Sequence, residues 1–159
     1  MRQFILTLLI LAAEPSSAQV LAENPPWKLS RVPDEKYGAG YGCRLTISAD
    51  SAQMHLTAYF LGADVEIQAD NLNLQPHKGT LNLYIPALDQ TMMISGAVFE
   101  GKVISARGGE QVLMQMLEAT AEAEADVIVV FDGDTQVGGF KAAGLSDLMP
   151  QMRACFQSL

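Results

Sequence analysis

Two stretches, Cys43-Arg-Leu-Thr-Ile-Ser-Ala49 and Met54-His-Leu-Thr-Ala-Tyr-Phe60, decide the fold. Leu45, Ile47 and Ala49 alternate with Arg44, Thr46 and Ser48, and Met54, Leu56, Ala58 and Phe60 alternate with His55, Thr57 and Tyr59. A period of two sends apolar and polar side chains to opposite faces of a strand, so each stretch reads as a strand with one buried side. The pattern continues outward. Val65, Ile67 and Ala69 alternate with polar residues, as do Leu81, Leu83 and Ile85. Gly62-Ala-Asp64, Pro76-His-Lys-Gly79, Ser95-Gly96, Glu100-Gly101 and Gly108-Gly109 carry turn chemistry between the runs. Short strands with short connections predict an antiparallel meander, not a parallel α/β sheet.

Upstream, Trp27–Val32 reads as a first strand stopped by Pro33, and Gln19–Pro26 as a loose tail. Downstream the period changes. Leu113, Met116, Leu117 and Thr120 fall on one side of a helix over 110–123, with Gln111, Gln115, Glu118 and Glu122 opposite. Asp126–Phe131 reads as a buried strand, turned by Asp132-Gly133-Asp134 into a partner strand at Thr135–Gly139. Leu145, Leu148, Met149, Met152, Cys155, Phe156 and Leu159 form the apolar stripe of a last helix, with Ser146 as its cap. The expected fold is α+β: a curved antiparallel sheet or sandwich closed by the C-terminal helix.

Met1-Arg-Gln3, the apolar run Phe4–Ala13 and the small residues Ser16-Ser-Ala18 have the layout of a secretory signal peptide. Cleavage is expected after Ala18, with Ala22 the weaker alternative. That leaves residues 19–159 as a single domain able to bury roughly 68% of its unfolded surface. No second long apolar run follows, so the mature chain is expected to be soluble and free of a membrane span. No Cys stands at the cleavage site, which argues against a lipoprotein anchor, and no Asn-x-Ser/Thr sequon occurs, which leans toward a bacterial periplasm. In that oxidising compartment Cys43 and Cys155, the only cysteines, are expected to form a disulfide.

A net charge of −8 argues against nucleic acid, whose phosphates it would repel. Between Arg107 and Lys141 the chain carries seven acids and no base. Glu118, Glu122, Asp132 and Asp134 within this run are the candidate face for a cationic protein or envelope component. A solvated face is the plainer reading of the same charges.

No catalytic set stands out. His55 and His77 have no zinc-ligand spacing around them, and no Gly-x-Ser-x-Gly is present. Asp132-x-Asp134 fails as a calcium loop, since Val137 and Ala143 stand where Gly and Glu belong. The methionines raise copper(I) chemistry, but most fall on predicted core faces, where Met fills gaps. No catalytic residue, metal or cofactor is therefore assigned. Trp27 shortly after the leader, Cys43 at a strand start, and Val137-Gly-Gly-Phe140 leading to Leu148-x-x-x-Met152-x-x-Cys155 resemble small exported alphaproteobacterial proteins related to the invasion-associated locus B family. The resemblance implies a periplasmic β-rich fold with a covering helix. It implies no activity and supplies no site residues. A non-enzymatic periplasmic binding or envelope-associated module is the leading reading. A hydrolase with a dispersed active site and a small exported inhibitor of a cationic enzyme are the alternatives.

Overall fold

Among the described residues every strand pair is antiparallel. A computed structural model describes residues 18–36 and 40–159. The leader therefore lies outside the described residues except for Ala18. The first five strands are β1 (Gln19–Asn24), β2 (Trp27–Pro33), β3 (Tyr41–Ala49), β4 (Ala52–Tyr59) and β5 (Gly62–Ala69). They pair in chain order. The next three, β6 (Leu74–Ile85), β7 (Gln90–Gly101) and β8 (Val103–Gly108), pair in reverse, so that β8 joins β5. Helix α1 (Glu110–Glu122) follows. Strands β9 (Val127–Asp132) and β10 (Thr135–Lys141) extend the sheet beyond β6, and helix α2 (Met149–Gln157) ends the chain.

The alternation read from sequence becomes continuous rows. Trp27, Ile47, Met54, Ile67, Ile104 and Phe99 are cross-strand neighbours on one face, and all are buried. The neighbouring row on the other face is Lys28, Thr46, His55, Glu66, Ser105 and Val98. The apolar face is concave. The sheet curls until β10 comes against β3. The Trp27 indole Nε1 donates to the Ala142 carbonyl at 2.9 Å, and Asn24 Nδ2 donates to Gly144 O and to Asp147 Oδ2. These bonds hold the first hairpin to the segment after β10, giving the buried indole the partner it needs.

The helices lie on the concave face, α1 against β4 and β5, α2 against β2 and β3. The buried residues of α1 are Leu113, Met114, Met116, Leu117, Thr120 and Ala121, and the Thr120 hydroxyl is satisfied by the Met116 carbonyl at 2.7 Å. From α2, Met149, Met152 and Cys155 are buried, and Cys155 is bonded to Cys43 of β3.

Several local expectations change. Gln19–Asn24 is no tail: it pairs with β2 through the Pro25-Pro26 turn. Pro76–Gly79 and Ser95-Gly96 are not turns. They lie inside β6 and β7, where the register shifts twice. Glycine and proline mark bulges as well as turns, because both interrupt a regular ladder. Gly62–Asp64 begins β5. The turn is Phe60-Leu61, so Phe60 leaves the buried series and is 69% exposed. Ser146 does not cap α2. It sits in a separate 3₁₀ turn, Leu145–Asp147, and α2 starts at Met149 with Pro150 in its first turn, where a missing N–H costs no helical bond.

The disulfide closes a separation of 112 residues. In the chain-entropy account such a loop contributes about 4–5 kcal/mol, and measured losses run to roughly 2–5 kcal/mol. Cys155→Ser should lower stability by that amount in denaturant unfolding, and an unchanged midpoint would contradict a structural role. Met152 is fully buried. Met152→Ala should cost about 2–5 kcal/mol by removing core volume, measured in the same way.

Candidate binding site between two splayed strands

Strand β8 has different partners along its two edges. It pairs with β5 over its whole length, from Gln68↔Val103 to Ala63↔Gly108. It pairs with β7 only through Glu100↔Val103, Phe99↔Ile104 and Val98↔Ser105. Strand β7 instead stays with β6 down to Ile85↔Gln90. The divergence starts at Gly96, an extra residue between Gly79↔Ala97 and Thr80↔Ser95, with φ at +75°. That left-handed conformation suits glycine, and the bulge bends β7 with β6 and away from β8. Among the described residues, no strand pairs with Ala106–Gly108 of β8 or with Gln90–Ala97 of β7 on the sides that face this split.

A cleft lies on each face of the split. The outer one has a volume of about 300 Å³ and is lined by Lys36, Asp64, Glu66, Ser95, Ser105 and Arg107. The inner one, about 180 Å³, is lined mainly by Ala63, Met92, Ile94, Val112 and Leu113. Both are also lined by Val65, Ser95 and Arg107. Met93 and Val112, 71% and 54% exposed, stand beside the split.

The outer cleft is balanced in charge and mixed in lining, with Val65, Val98 and Ala106 beside its charged groups. The Asp64 carboxylate is largely buried, in an ion pair with Lys36 and 3.9 Å from Arg107 Nε. Burial raises the Tyr59 phenol above its ordinary pKa, and the neighbouring Asp64 charge raises it further. Beside them Arg44 Nε donates to Thr57 Oγ1 at 3.0 Å. These contacts fix one wall and leave Arg107, mostly exposed, at the opening.

The four acids singled out from sequence do not line this split. Glu118 and Glu122 are one turn apart on α1. Asp132 and Asp134 flank Gly133 at the β9–β10 turn, at the other end of β9 and roughly 17 Å from its start after α1. The base-free run is not base-free in space. Arg153 of α2 donates to Glu118 Oε1 at 2.8 Å, and His77 Nε2 meets Asp132 Oδ2 at 2.9 Å. Cys43 and Cys155 come together as expected. Of the methionines, Met54, Met114, Met116, Met149 and Met152 are core, while Met93 is exposed. Among the described residues no three His, Cys, Asp or Glu side chains converge as metal ligands.

The histidines sit in opposite environments. His77 lies in β6, stacked on Phe99 with ring centres 4.7 Å apart, and its Nδ1 meets the Gln75 carbonyl at 2.8 Å. That carbonyl first, and then Asp132, raise its pKa above 6.5. Both ring nitrogens face acceptors, an arrangement that favours the doubly protonated ring. His55 lies on the outer face of β4, 2.9 Å from Thr46 Oγ1. Burial and then Arg44 lower its pKa, against an opposing effect of Glu66.

Proton-detected titration should give a midpoint above 6.5 for His77 and below 6.5 for His55. Midpoints in the reverse order would contradict the assigned contacts. The stability consequences have opposite signs. The contribution of His77 is complete below 6.5 and is lost as pH rises through its raised folded value. That of His55 is present above 6.5 and is lost as pH falls toward its lowered one.

Compared with known proteins, the chain matches no family model, no curated protein and no solved structure.

Proposed function

We propose that the protein is a non-enzymatic binding module of the periplasm or another exported compartment, with the split between β7 and β8 as its contact site. The observation that carries the reading is a mainly apolar cleft and a charge-bearing cleft that share Val65, Ser95 and Arg107 beside unpaired strand edges. Convergent polar groups beside apolar lining are what a recognition site needs. The Cys43–Cys155 bond fits an oxidising compartment, where such bridges persist. A net charge of −8 favours a cationic protein or envelope component as partner, because a long-range field of this sign speeds encounter with positive charge. Glu122 and Asp134, both exposed, contribute to that steering without forming the contact itself.

Export predicts that protein recovered from the periplasm begins at Gln19 and contains no free thiol. Intact-mass spectrometry that finds Met1 retained in exported material would contradict it. The contact site is tested in cells with a photo-crosslinking residue at Met93, at Val112 or, as a distant control, at exposed Lys141. The first two positions should give the same discrete adduct and the control none. An adduct from Lys141 alone would move the contact to another surface.

A further inference from the structure

We infer that His77 and Asp132 form a pH-operated clasp, which holds the β9–β10 turn against β6 in mildly acidic medium and loosens it as the medium becomes alkaline. This does not depend on what the split binds. Strand β6 pairs with β9 only from Leu81↔Asp132 to Tyr84↔Val129. Outside that ladder, further contacts tie the turn to β6. The Gly133 N–H donates to the Thr80 carbonyl at 2.9 Å, Asn82 Nδ2 donates to the Gly133 carbonyl at 2.8 Å, and His77 Nε2 meets Asp132 Oδ2 at 2.9 Å. Of these, only the last includes a side chain whose charge changes near neutral pH. The His77 ring lies flat on Phe99, a fully buried core residue, with ring planes 6° apart. Gly79 leaves the room this needs, because a Cβ there would stand 3.2 Å from both Asp132 Oδ1 and Phe99 Cε2.

Gln75 lies in the bulge between Leu74↔Gly101 and His77↔Phe99, and its carbonyl meets Nδ1 at 2.8 Å. The ring thus stands between two acceptors, and only its doubly protonated form donates to both. The neutral ring has one N–H. Whichever nitrogen keeps it, the other turns a lone pair toward an oxygen, and the charge opposite Asp132 is gone. Charge-assisted bonds are about twice as strong as neutral ones, so the tie weakens while the ladder stays. The groups around the ring agree in sign. Asp132 is the charge that faces it from β9, and Asp134 is exposed in the same turn. Phe99 of β7 is uncharged, and the flanking Lys78 and Glu100 fall on the opposite face. The Gln75 carbonyl first, and then Asp132, accordingly raise the pKa of the ring. Its side chain is 41% exposed, so protons from the medium reach it directly.

The test follows the Gly133 amide of the purified, disulfide-bonded protein by NMR from mildly acidic to mildly alkaline pH, beside the ring protons of His77. Exchange at each pH is divided by the unprotected rate. Protection of Gly133 should fall roughly threefold or more across the His77 midpoint, with a ceiling of about tenfold for each pH unit between the docked and released midpoints. Amides of β3 and β4 should keep their protection, which separates loosening of the turn from global unfolding. His77→Phe keeps a flat ring on Phe99 and removes the titration, so Gly133 protection should become independent of pH. Asp132→Asn and Gly79→Ala should each lower the His77 midpoint and shrink the step at Gly133. Constant protection of Gly133 through the His77 midpoint in the unaltered protein would overturn the clasp, and so would a step that survives in His77→Phe. A step lost in His77→Phe but unchanged in Asp132→Asn would overturn the pairing with Asp132 and leave the Gln75 carbonyl as the only partner that matters.

Discussion

One apolar face of a ten-stranded sheet must be hidden from water, and the rest of the structure follows from how this is done. The row from Trp27 across to Phe99 crosses six strands without a polar interruption. Burying it is the main stabilising contribution to the fold. Curling the sheet covers part of that face with β9 and β10, and the two helices cover the remainder. Two kinds of restraint keep the cover in place. Trp27 and Asn24 hold the early strands to the segment after β10, and Cys43–Cys155 holds α2 to β3. The Glu118–Arg153 pair links the helices to each other at an exposed position, where such pairs contribute little to stability.

The split in the sheet is the cost of the same geometry. Strand β7 has long pairing with β6, and β6 also pairs with β9, which carries the curl of the open sheet onward. Strand β8 is fixed to β5 along its length. Strand β7 cannot follow both neighbours, and the bulge at Gly96 settles it in favour of β6. The opening left behind has backbone edges, an apolar wall from α1 and β7, and a polar wall from β5 and β8. A requirement of the fold thus creates the opening that we propose as the contact site.

Much of the architecture was legible in the sequence because it depends on local period. The alternations at Leu45–Ala49, Met54–Ala58 and Leu81–Ile85 gave strands, and the stripe through Met152 and Cys155 gave a covering helix. The disulfide was legible by number, since two cysteines allow one bridge. Features that depend on distant neighbours were not. Strand β1 has little alternation, and it is paired because a tight turn returns it to β2. Ser95-Gly96 reads as a turn until the position of β6 shows it to be a bulge. The acidic run looked unpaired because Arg153 and His77 lie far from it in sequence. The site itself rests on β5 pairing with β8, which no local pattern announces. Its only sequence trace is Met93 and Val112, apolar residues placed outside the buried stripes.

Amide hydrogen exchange on the free, disulfide-bonded protein tests the central claim most directly. An unpaired edge predicts an alternating pattern along β7 from Met92 to Gly96. Amides that face β6 are slow, and those that face the split exchange close to unprotected rates. Fast exchange is also expected on the β7-facing side of Ala106–Gly108, while β3 and β4 stay protected throughout. Uniform protection from Met92 to Gly108 would mean that β7 and β8 are paired along their length, and the account of the site would be wrong.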